Sequence, residues 1–537
     1  MSKFSYNLIR QPDTNIILII LDTHRADRLG AYGYGRDTSP NLDAFARSSI
    51  VFDQAIAPSQ WTIPSHASMF TGLPPSTHRV TQANSVLDGQ FTTFADILGA
   101  AGYSTVGFCN NPLVGLVHND IRKGFDTFYN YSGTTPKIPR NFPDSAIFPY
   151  ARIWDQIMDL IGKIVDPIQN QFATNSELLQ RATHPFFVPL WSRFVHFKGH
   201  TAHSIHDVTH FLRDKVEKPP KSPFLLFFNL METHLPFIPP KEYVSKFAPS
   251  MYGEPSAKTF MRLFNNKAMH WLIPIKKPFT PLEAQTISEM YDAEVAYQDH
   301  LLGEMMEQLN NPVIRDHSLV IITADHGEML GEHQFMGHGF GVYKELIHVP
   351  LFIRLPGQQE GWRVTTPIST TRLFHTILDT AGVSEVKNES GFCTDIHTNS
   401  LLSEYKSPSD HSSSQKHSVI SEAYAPQDAV KMMERSEPEL IEPLHTRPTH
   451  RAVYSDEQKL YTIEAIADRL LTFDDLPINE NNLSPDLQQQ IIEKLTGQLD
   501  LFLKNSKEGQ PEGWEPPIAD LSNPLIERRL KDLGYMA

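Results

Sequence analysis

Two stretches of this chain hold residues with the types and spacing for chemistry. In SQWTIPSHASMFTG (59–72), Pro64 suits the first turn of a helix, where its missing N–H costs nothing, and Ser65 to Met69 can continue it. Thr62 then stands at a helix N-terminus, where the macrodipole and free backbone N–H groups favour an alkoxide or a bound oxyanion. A threonine hydroxyl is a weak nucleophile alone, and a divalent cation is one way to activate it. Read in isolation, the same segment also suits a Thr62 that is only an N-cap. In ADHGEMLGEH (324–333), Asp325 and His326 leave an apolar run and enter a glycine-containing turn. Asp22 follows another apolar run, and Glu232, Thr233 and His234 follow a third. Carboxylates and an imidazole gathered together are what a divalent cation requires.

The elements that must gather them are legible. Nearly continuous apolar runs at 15–21, 104–109, 224–230, 318–324 and 351–355 predict strands buried on both faces. Helical patterns at 92–102, 282–309 and 370–382 lie between them, and this alternation predicts a parallel sheet covered on both sides. Ligands of such sheets bind beyond the carboxyl ends of the strands, where Asp22, His234, Asp325 and His326 all fall. Residues 130–215 break the rhythm with Pro-rich, aromatic and amphipathic stretches such as YARIWDQIMDLIGKIVDPI, read as an inserted subdomain or lid. Residues 1–400 are then the catalytic domain, 401–450 a linker and surface loop, and 451–537 a small C-terminal α+β subdomain and tail.

Composition narrows the class. With 537 residues, 40% hydrophobic, the chain is long enough for one large domain and a smaller companion. The net charge of -15 argues against an extended nucleic-acid surface, so an anionic substrate needs a local pocket. Only Cys109 and Cys393 are present, too few for a disulfide framework or a thiolate metal site. No apolar run has the length of a membrane span and the N-terminus lacks a signal-peptide core, so the expectation is a soluble cytoplasmic protein of unreadable oligomeric state.

The residues 21–72, from LDTHRADRLG to ASMFTG, resemble the opening block of sulfatases, in which an acidic metal ligand follows the first strand and the nucleophile lies in a Cys/Ser-x-Pro-Ser-Arg motif. The block 324–357 resembles their second metal block, METHLPF (231–237) their substrate-binding histidine block, and RRLKDLGYM (528–536) tails common in the family. The resemblance implies an alkaline-phosphatase-like α/β fold, a mostly parallel central sheet with helices on both faces. It implies Asp22, Asp325 and His326 as metal ligands and Thr62 as nucleophile and metal ligand. His234 and His338 would contact the transferred group or protonate the departing oxygen. Asn110 falls where the family usually has a substrate-binding Lys, and His66 replaces the motif's Arg. His333 is a plausible neighbour of the site.

Departures from the pattern carry chemistry too. Threonine cannot be oxidised to formylglycine, so no such residue is expected, and a Thr62 ester is better suited to in-line attack at phosphorus than to release of sulfate by elimination. Thr23 stands where the family has a second carboxylate, and His326 where it usually has Asn. That trade favours Mn²⁺ or Zn²⁺ over Ca²⁺, though Ca²⁺ stays possible. The expected function is a sulfatase-like, metal-dependent hydrolase of sulfate or of phosphate and phosphonate esters, phosphodiesters among them, acting through a covalent Thr62 intermediate on a small anionic ester. The alternatives are a phospho-group transferase of the same superfamily and a non-catalytic binding protein on the same fold.

Overall fold

The computed structural model describes residues 4–115, 117–132, 198–267, 271–388, 393–406, 419–455, 458–478, 483–507 and 517–518. The amphipathic stretch 150–168, most of the Ser-rich run 404–418 and the closing block 528–536 lie outside them.

Eight strands form the central sheet in the order Trp362–Val364, Ile50–Phe52, Leu351–Arg354, Ser318–Thr323, Asn15–Leu21, Phe224–Leu230, Ser104–Cys109 and Thr127–Asn130. All run parallel except Leu351–Arg354, which is antiparallel to both neighbours. The exception has a simple origin. Parallel neighbours need a crossover connection, usually a helix, whereas the chain between Thr323 and Leu351 holds only short pieces such as Lys344–Ile347. The predicted strands and helices are all present, and the fold is the α/β, alkaline-phosphatase-like one.

NIILIIL (15–21) shows why the sheet sits between two layers. Ile16, Leu18 and Ile20 pack on one face against Ile63 and Phe70 of the helix Thr62–Thr71, Phe94 of Phe94–Ala100 and Ile377 of Leu373–Thr380. Ile17, Ile19 and Leu21 pack on the other against Val208 and Leu212 of Thr201–Glu217 and Tyr291 and Val295 of Pro281–Asn310. Each of these fully buried side chains contributes about 1.5–3 kcal/mol relative to exposure. Local signals set the helix starts. Thr93 with Asp96, and Thr280 with Glu283, form reciprocal capping boxes, and Pro281 adds a preset φ to the second.

Two boundaries differ from the sequence reading. Thr201–Glu217, placed there within the insertion, is a covering helix of the main layer, because Ile205, Val208 and Leu212 share one buried face. Val419–Ala423, placed in the linker, is a buried strand paired with His450–Ser455. It opens an antiparallel four-stranded sheet continued by Gln458–Ile463 and Ala467–Thr472. Ile420, Val453 and Leu460 of that sheet face the C-terminal helix Pro485–Lys507 through Leu495 and Leu499, whereas Val419, Ala452, Tyr454 and Tyr461 join the main core. Among the described residues no helix is long and apolar enough to cross a membrane.

Gly124 tests the packing of the layer. Its φ is +86°, and a Cβ there would lie 2.2 Å from the backbone nitrogen of Asp96, in the capped turn of Phe94–Ala100. Gly124→Ala is expected to destabilise the protein by about 2–4 kcal/mol, read as a lower urea midpoint at unchanged slope. An unshifted midpoint would show that this contact is not tight.

Candidate active site

The sheet's carboxyl edge brings the distant residues together. Asp22 directly follows Asn15–Leu21, and Asp325 and His326 follow Ser318–Thr323, the neighbouring parallel strand. All of them are fully buried, and their ligand atoms lie within 4.8 Å of one another. The strand end is shaped by Thr23, whose φ of 59° puts a β-branched residue in the left-handed region at a cost of about 1–3 kcal/mol. Compensation is local. The hydroxyls of Thr23 and Thr233 each donate to the Asp22 carbonyl at 2.6 Å, and the Tyr291 hydroxyl donates to the Thr23 carbonyl at 2.7 Å.

Thr62 is the first residue of its helix, and Trp61 takes the N-cap position without a side-chain cap bond, so the N-cap explanation of Thr62 does not hold. Its Oγ1 lies 3.3 Å from His326 Nε2, which is in turn 3.4 Å from Asp325 Oδ2 and 3.9 Å from Asp22 Oδ1. His66, one helical turn on, has Nδ1 3.0 Å from the Thr62 carbonyl and 3.4 Å from Asp325 Oδ2. A carbonyl only accepts, so that nitrogen carries the proton. The ring packs edge-on to Phe70 and Phe227, and burial lowers its pKa to about 3. His66 is thus a neutral group whose Nδ1 holds the backbone of Thr62, while its buried Nε2 has no hydrogen-bond partner among the described residues.

Asn110 follows the strand Ser104–Cys109, and its Oδ1 is buried with no hydrogen-bond partner among the described residues. Its side-chain amide donates to Thr201 Oγ1 at 2.9 Å, fastening the strand end to the Thr201–Glu217 helix. The next residue reaches the site instead. Asn111 Nδ2 lies 2.6 Å from Asp22 Oδ2 and 3.4 Å from Thr62 Oγ1, and its Oδ1 accepts from Leu113 N at 2.8 Å, which fixes the amide's orientation. An Asn before a Pro at a strand's carboxyl end was the signal available for Asn111. His333 stacks on Tyr343 with ring centroids 4.0 Å apart and faces Glu345, a structural place.

Three imidazoles form a row along the site. The rings of His326 and His338 are 4.5 Å apart and those of His338 and His234 are 5.0 Å apart. Burial, with mutual repulsion where two rings meet, lowers His326 to about 4 and His234 to about 3, and burial alone takes His338 to about 3. His338 Nδ1 lies 2.8 Å from Glu328 Oε1, and His234 Nδ1 2.7 Å from the Leu235 carbonyl. Glu328 had no role in the sequence reading; it orients His338 from a position two residues after His326.

The donor set fits a divalent cation. Asp22 Oδ1 and Asp325 Oδ2 are buried and accept no hydrogen bond, an expensive state for a carboxylate without positive charge beside it. His326 Nδ1 faces the Gly327 carbonyl at 2.8 Å and so carries the proton, leaving the Nε2 lone pair toward the two acids. Burial, then the neighbouring Asp325, pushes Asp22 well above the usual carboxylate range. Burial likewise pushes Asp325 up to about 7, outweighing the N–H groups of His326 and Thr23 and the nearby Thr62 hydroxyl.

The sulfatase family model matches residues 14–383, which hold every residue of this cluster. The chain belongs to the sulfatase family. At family level it is a hydrolase of sulfuric esters, and enzymes of this family use a divalent metal. Among relatives of this sulfatase, an uncharacterized sulfatase of Escherichia coli, YidJ, is 26% identical over 375 residues, covering 69% of this chain and 68% of that protein. Human iduronate 2-sulfatase is 25% identical over 365 residues, 64% of this chain and 60% of that enzyme's length. In structure it is similar to the phosphonate monoester hydrolase of Agrobacterium radiobacter, with a TM-score of 0.59, 18% identity, and 91% and 96% of the two chains covered. A neighbour holding its substrate D-glucosamine-2-N,6-O-disulfate has a TM-score of 0.59 at 16% identity, covering 94% of this chain and 100% of that one.

The raised carboxyl pKa values set a direction for metal binding. Burial pushes Asp325 up to about 7 and Asp22 also well above the usual range, and a cation binds the ionised forms, so affinity falls as pH drops through 7. Dissociation constants for Mn²⁺ or Zn²⁺ measured by calorimetry are expected to weaken about tenfold per pH unit per proton displaced below pH 7. A constant flat from pH 6 to pH 8 would contradict this site.

Proposed function

We propose that this sulfatase-family chain hydrolyses small anionic phosphate, phosphonate or sulfate esters through a covalent ester on Thr62, with phosphoryl chemistry favoured. The observation that carries this reading is the Thr62 hydroxyl beside His326, in a cradle closed by Asp22 and Asp325. A divalent cation held by Asp22, Asp325, His326 and Thr62 would supply the positive charge that makes the hydroxyl acidic and draws the ester's oxygens to it. The imidazole of His326 in that set favours Mn²⁺ or Zn²⁺ over Ca²⁺.

The chain's own groups do the rest. Asn111 Nδ2 donates toward Asp22 and Thr62, holding the attacking oxygen in line with the carboxylate that flanks it. His66 pins the Thr62 carbonyl, and the helix N-terminus favours the charge that develops on Oγ1 as its O–H bond gives up the proton to solvent. That charge passes to the departing oxygen as the new bond to phosphorus or sulfur forms and the ester bond breaks. His338, braced by Glu328, and His234 beside it stand where a departing alkoxide needs a proton. Both are neutral when the site is empty of anions, and an anionic ester beside them favours the imidazolium, so the proton is recruited along with the substrate. Water then cleaves the Thr62 ester with the same histidines in reversed roles.

The phosphoryl preference follows from the residue type. A formylglycine hydrate releases sulfate by elimination, which a threonine ester cannot do, whereas a phosphothreonine is open to in-line attack by water at phosphorus. The sulfated sugar held by the neighbour described above fits a small anionic ester as substrate, and the phosphonate monoester hydrolase fits the phosphoryl side.

Thr62→Ala is expected to lower kcat on activated aryl phosphonates and sulfates by about 10³-fold or more, with the melting temperature little changed. An acid-quenched wild-type reaction should yield a peptide carrying the phosphoryl or sulfuryl group on Thr62 by mass spectrometry. Near-native turnover by the alanine variant would remove Thr62 from the mechanism.

A further inference from the structure

The loop that carries His234 is closed at both ends by one buried ion pair. Lys198 Nζ lies 2.5 Å from Glu294 Oε1, with 12% of the lysine side chain and none of the glutamate's exposed. The same ammonium donates to the Glu232 carbonyl at 2.5 Å, and the same carboxylate oxygen accepts from Ile238 N at 2.6 Å. Residues 232 to 238 are thus clasped at their two ends, with His234 between them. His234 Nδ1 faces the carbonyl of the next residue, Leu235, at 2.7 Å, so the direction of the ring follows the backbone of this loop. Its ring centroid is 5.0 Å from that of His338, which is 4.5 Å from that of His326, whose Nε2 lies 3.3 Å from Thr62 Oγ1.

The two halves of the pair come from different elements. Glu294 belongs to the helix Pro281–Asn310, and Lys198 lies just before Thr201–Glu217. The Lys198 carbonyl accepts from Asn110 Nδ2 at 3.4 Å, and Gly199, at a φ of +74°, lets the chain pass close to the Tyr131 carbonyl, which a Cβ there would meet at 3.1 Å. The arrangement is costly. Glu294 Oε2 is buried and accepts no hydrogen bond, and burial pushes the acid up to about 8 against the pull of Lys198. A buried ion pair rarely adds stability over apolar side chains of similar size. The loop also has other holds, since Thr233 Oγ1 donates to the Asp22 carbonyl at 2.6 Å and Asn265 binds both backbone groups of Phe237 at 3.0 and 2.8 Å. What the pair adds is a fixed place for the loop's two ends, and a misplacement of about 1 Å can cost a reacting group about 10²-fold in rate.

Resting on the hydrolase reading above, we propose that Lys198 and Glu294 are positioning residues for His234: their pair fixes the imidazole where the departing oxygen takes its proton. Neither side chain touches the reacting atoms. Their effect therefore falls on esters whose alcohol must be protonated as it leaves, and an alcohol acidic enough to depart as its anion is nearly indifferent to them.

The test uses the full chain with Mn²⁺ and compares kcat/KM, which reports formation of the Thr62 ester, on the 4-nitrophenyl and phenyl esters of one phosphonate. Lys198→Met, Glu294→Gln and the two together are set against the wild type and His234→Ala. The phenyl-ester rate is expected to fall about tenfold or more in each, the 4-nitrophenyl rate by less than about threefold, and Lys198→Met to add nothing to the phenyl-ester loss of His234→Ala. The double variant leaves no unpaired buried charge, so it guards against a Lys198→Met chain that fails to fold. Equal losses on the two esters, or losses that add to those of His234→Ala, overturn the proposal. Spectra of ¹⁵N-labelled histidine give a readout without turnover: the His234 ring signals, identified by their loss in His234→Ala, are expected to move in the double variant. Displaced signals in a protein whose wild type hydrolyses neither ester sink the hydrolase reading and leave the positioning role standing, whereas unmoved signals with turnover intact do the reverse.

Discussion

Two carboxyl groups, Asp22 and Asp325, are buried side by side at the ends of neighbouring parallel strands, each with one oxygen that accepts no hydrogen bond. Such a pair is costly in a folded protein unless protons or a cation neutralise it, and the raised carboxyl pKa values express that cost. The surrounding structure is arranged to bear it. Thr23 takes a strained backbone conformation to turn the chain after Asp22, His326 presents its lone pair to both acids, Asn111 donates to Asp22, and the His326 backbone N–H donates to Asp325. The Thr62 hydroxyl has its place in the cluster because this electron-rich cradle sits against a helix start.

That helix start is held from outside the family core. Glu422, fully buried in the first strand of the C-terminal sheet, exchanges backbone bonds with the nucleophile segment: its N–H donates to the Pro58 carbonyl at 3.0 Å, and its carbonyl accepts from Ser59 Oγ at 2.7 Å. Its carboxylate accepts from Ser76 N at 2.9 Å and from Arg451 Nε at 3.1 Å. Lys459, buried in the same sheet, donates to the Val342 carbonyl at 2.7 Å, close in sequence to His338. The C-terminal sheet is therefore a brace for the edge of the site, with one face given to the main core and the other to its own helix.

The relation to other sulfatases is one of shared scaffold. Identity is 26% and 25% to the two relatives described above, over 69% and 64% of this chain. Within that scaffold His66 Nδ1 holds the Thr62 carbonyl and the Asn110 amide donates to Thr201, while His66 Nε2 and Asn110 Oδ1 are buried with no hydrogen-bond partner among the described residues.

The sequence by itself determined the layered α/β fold, because doubly buried strands must be continuously apolar and their covering helices periodically so. It also placed Asp22, Thr62, His234, Asp325 and His326 at strand ends or a helix start, since local propensity and strand position are properties of short segments, whereas His338 came only from the family resemblance. What only the tertiary structure decided was which polar atoms meet. Asn110 and Asn111 are adjacent and chemically identical, yet the direction of the backbone after Ser104–Cys109 sends the first to Thr201 and the second to Asp22. Glu328 and His338 became a pair through a turn, and Val419–Ala423 became a buried strand through pairing with His450–Ser455. Hydrogen-bond partners and strand neighbours depend on three-dimensional proximity between residues far apart in the chain, and no local pattern encodes that.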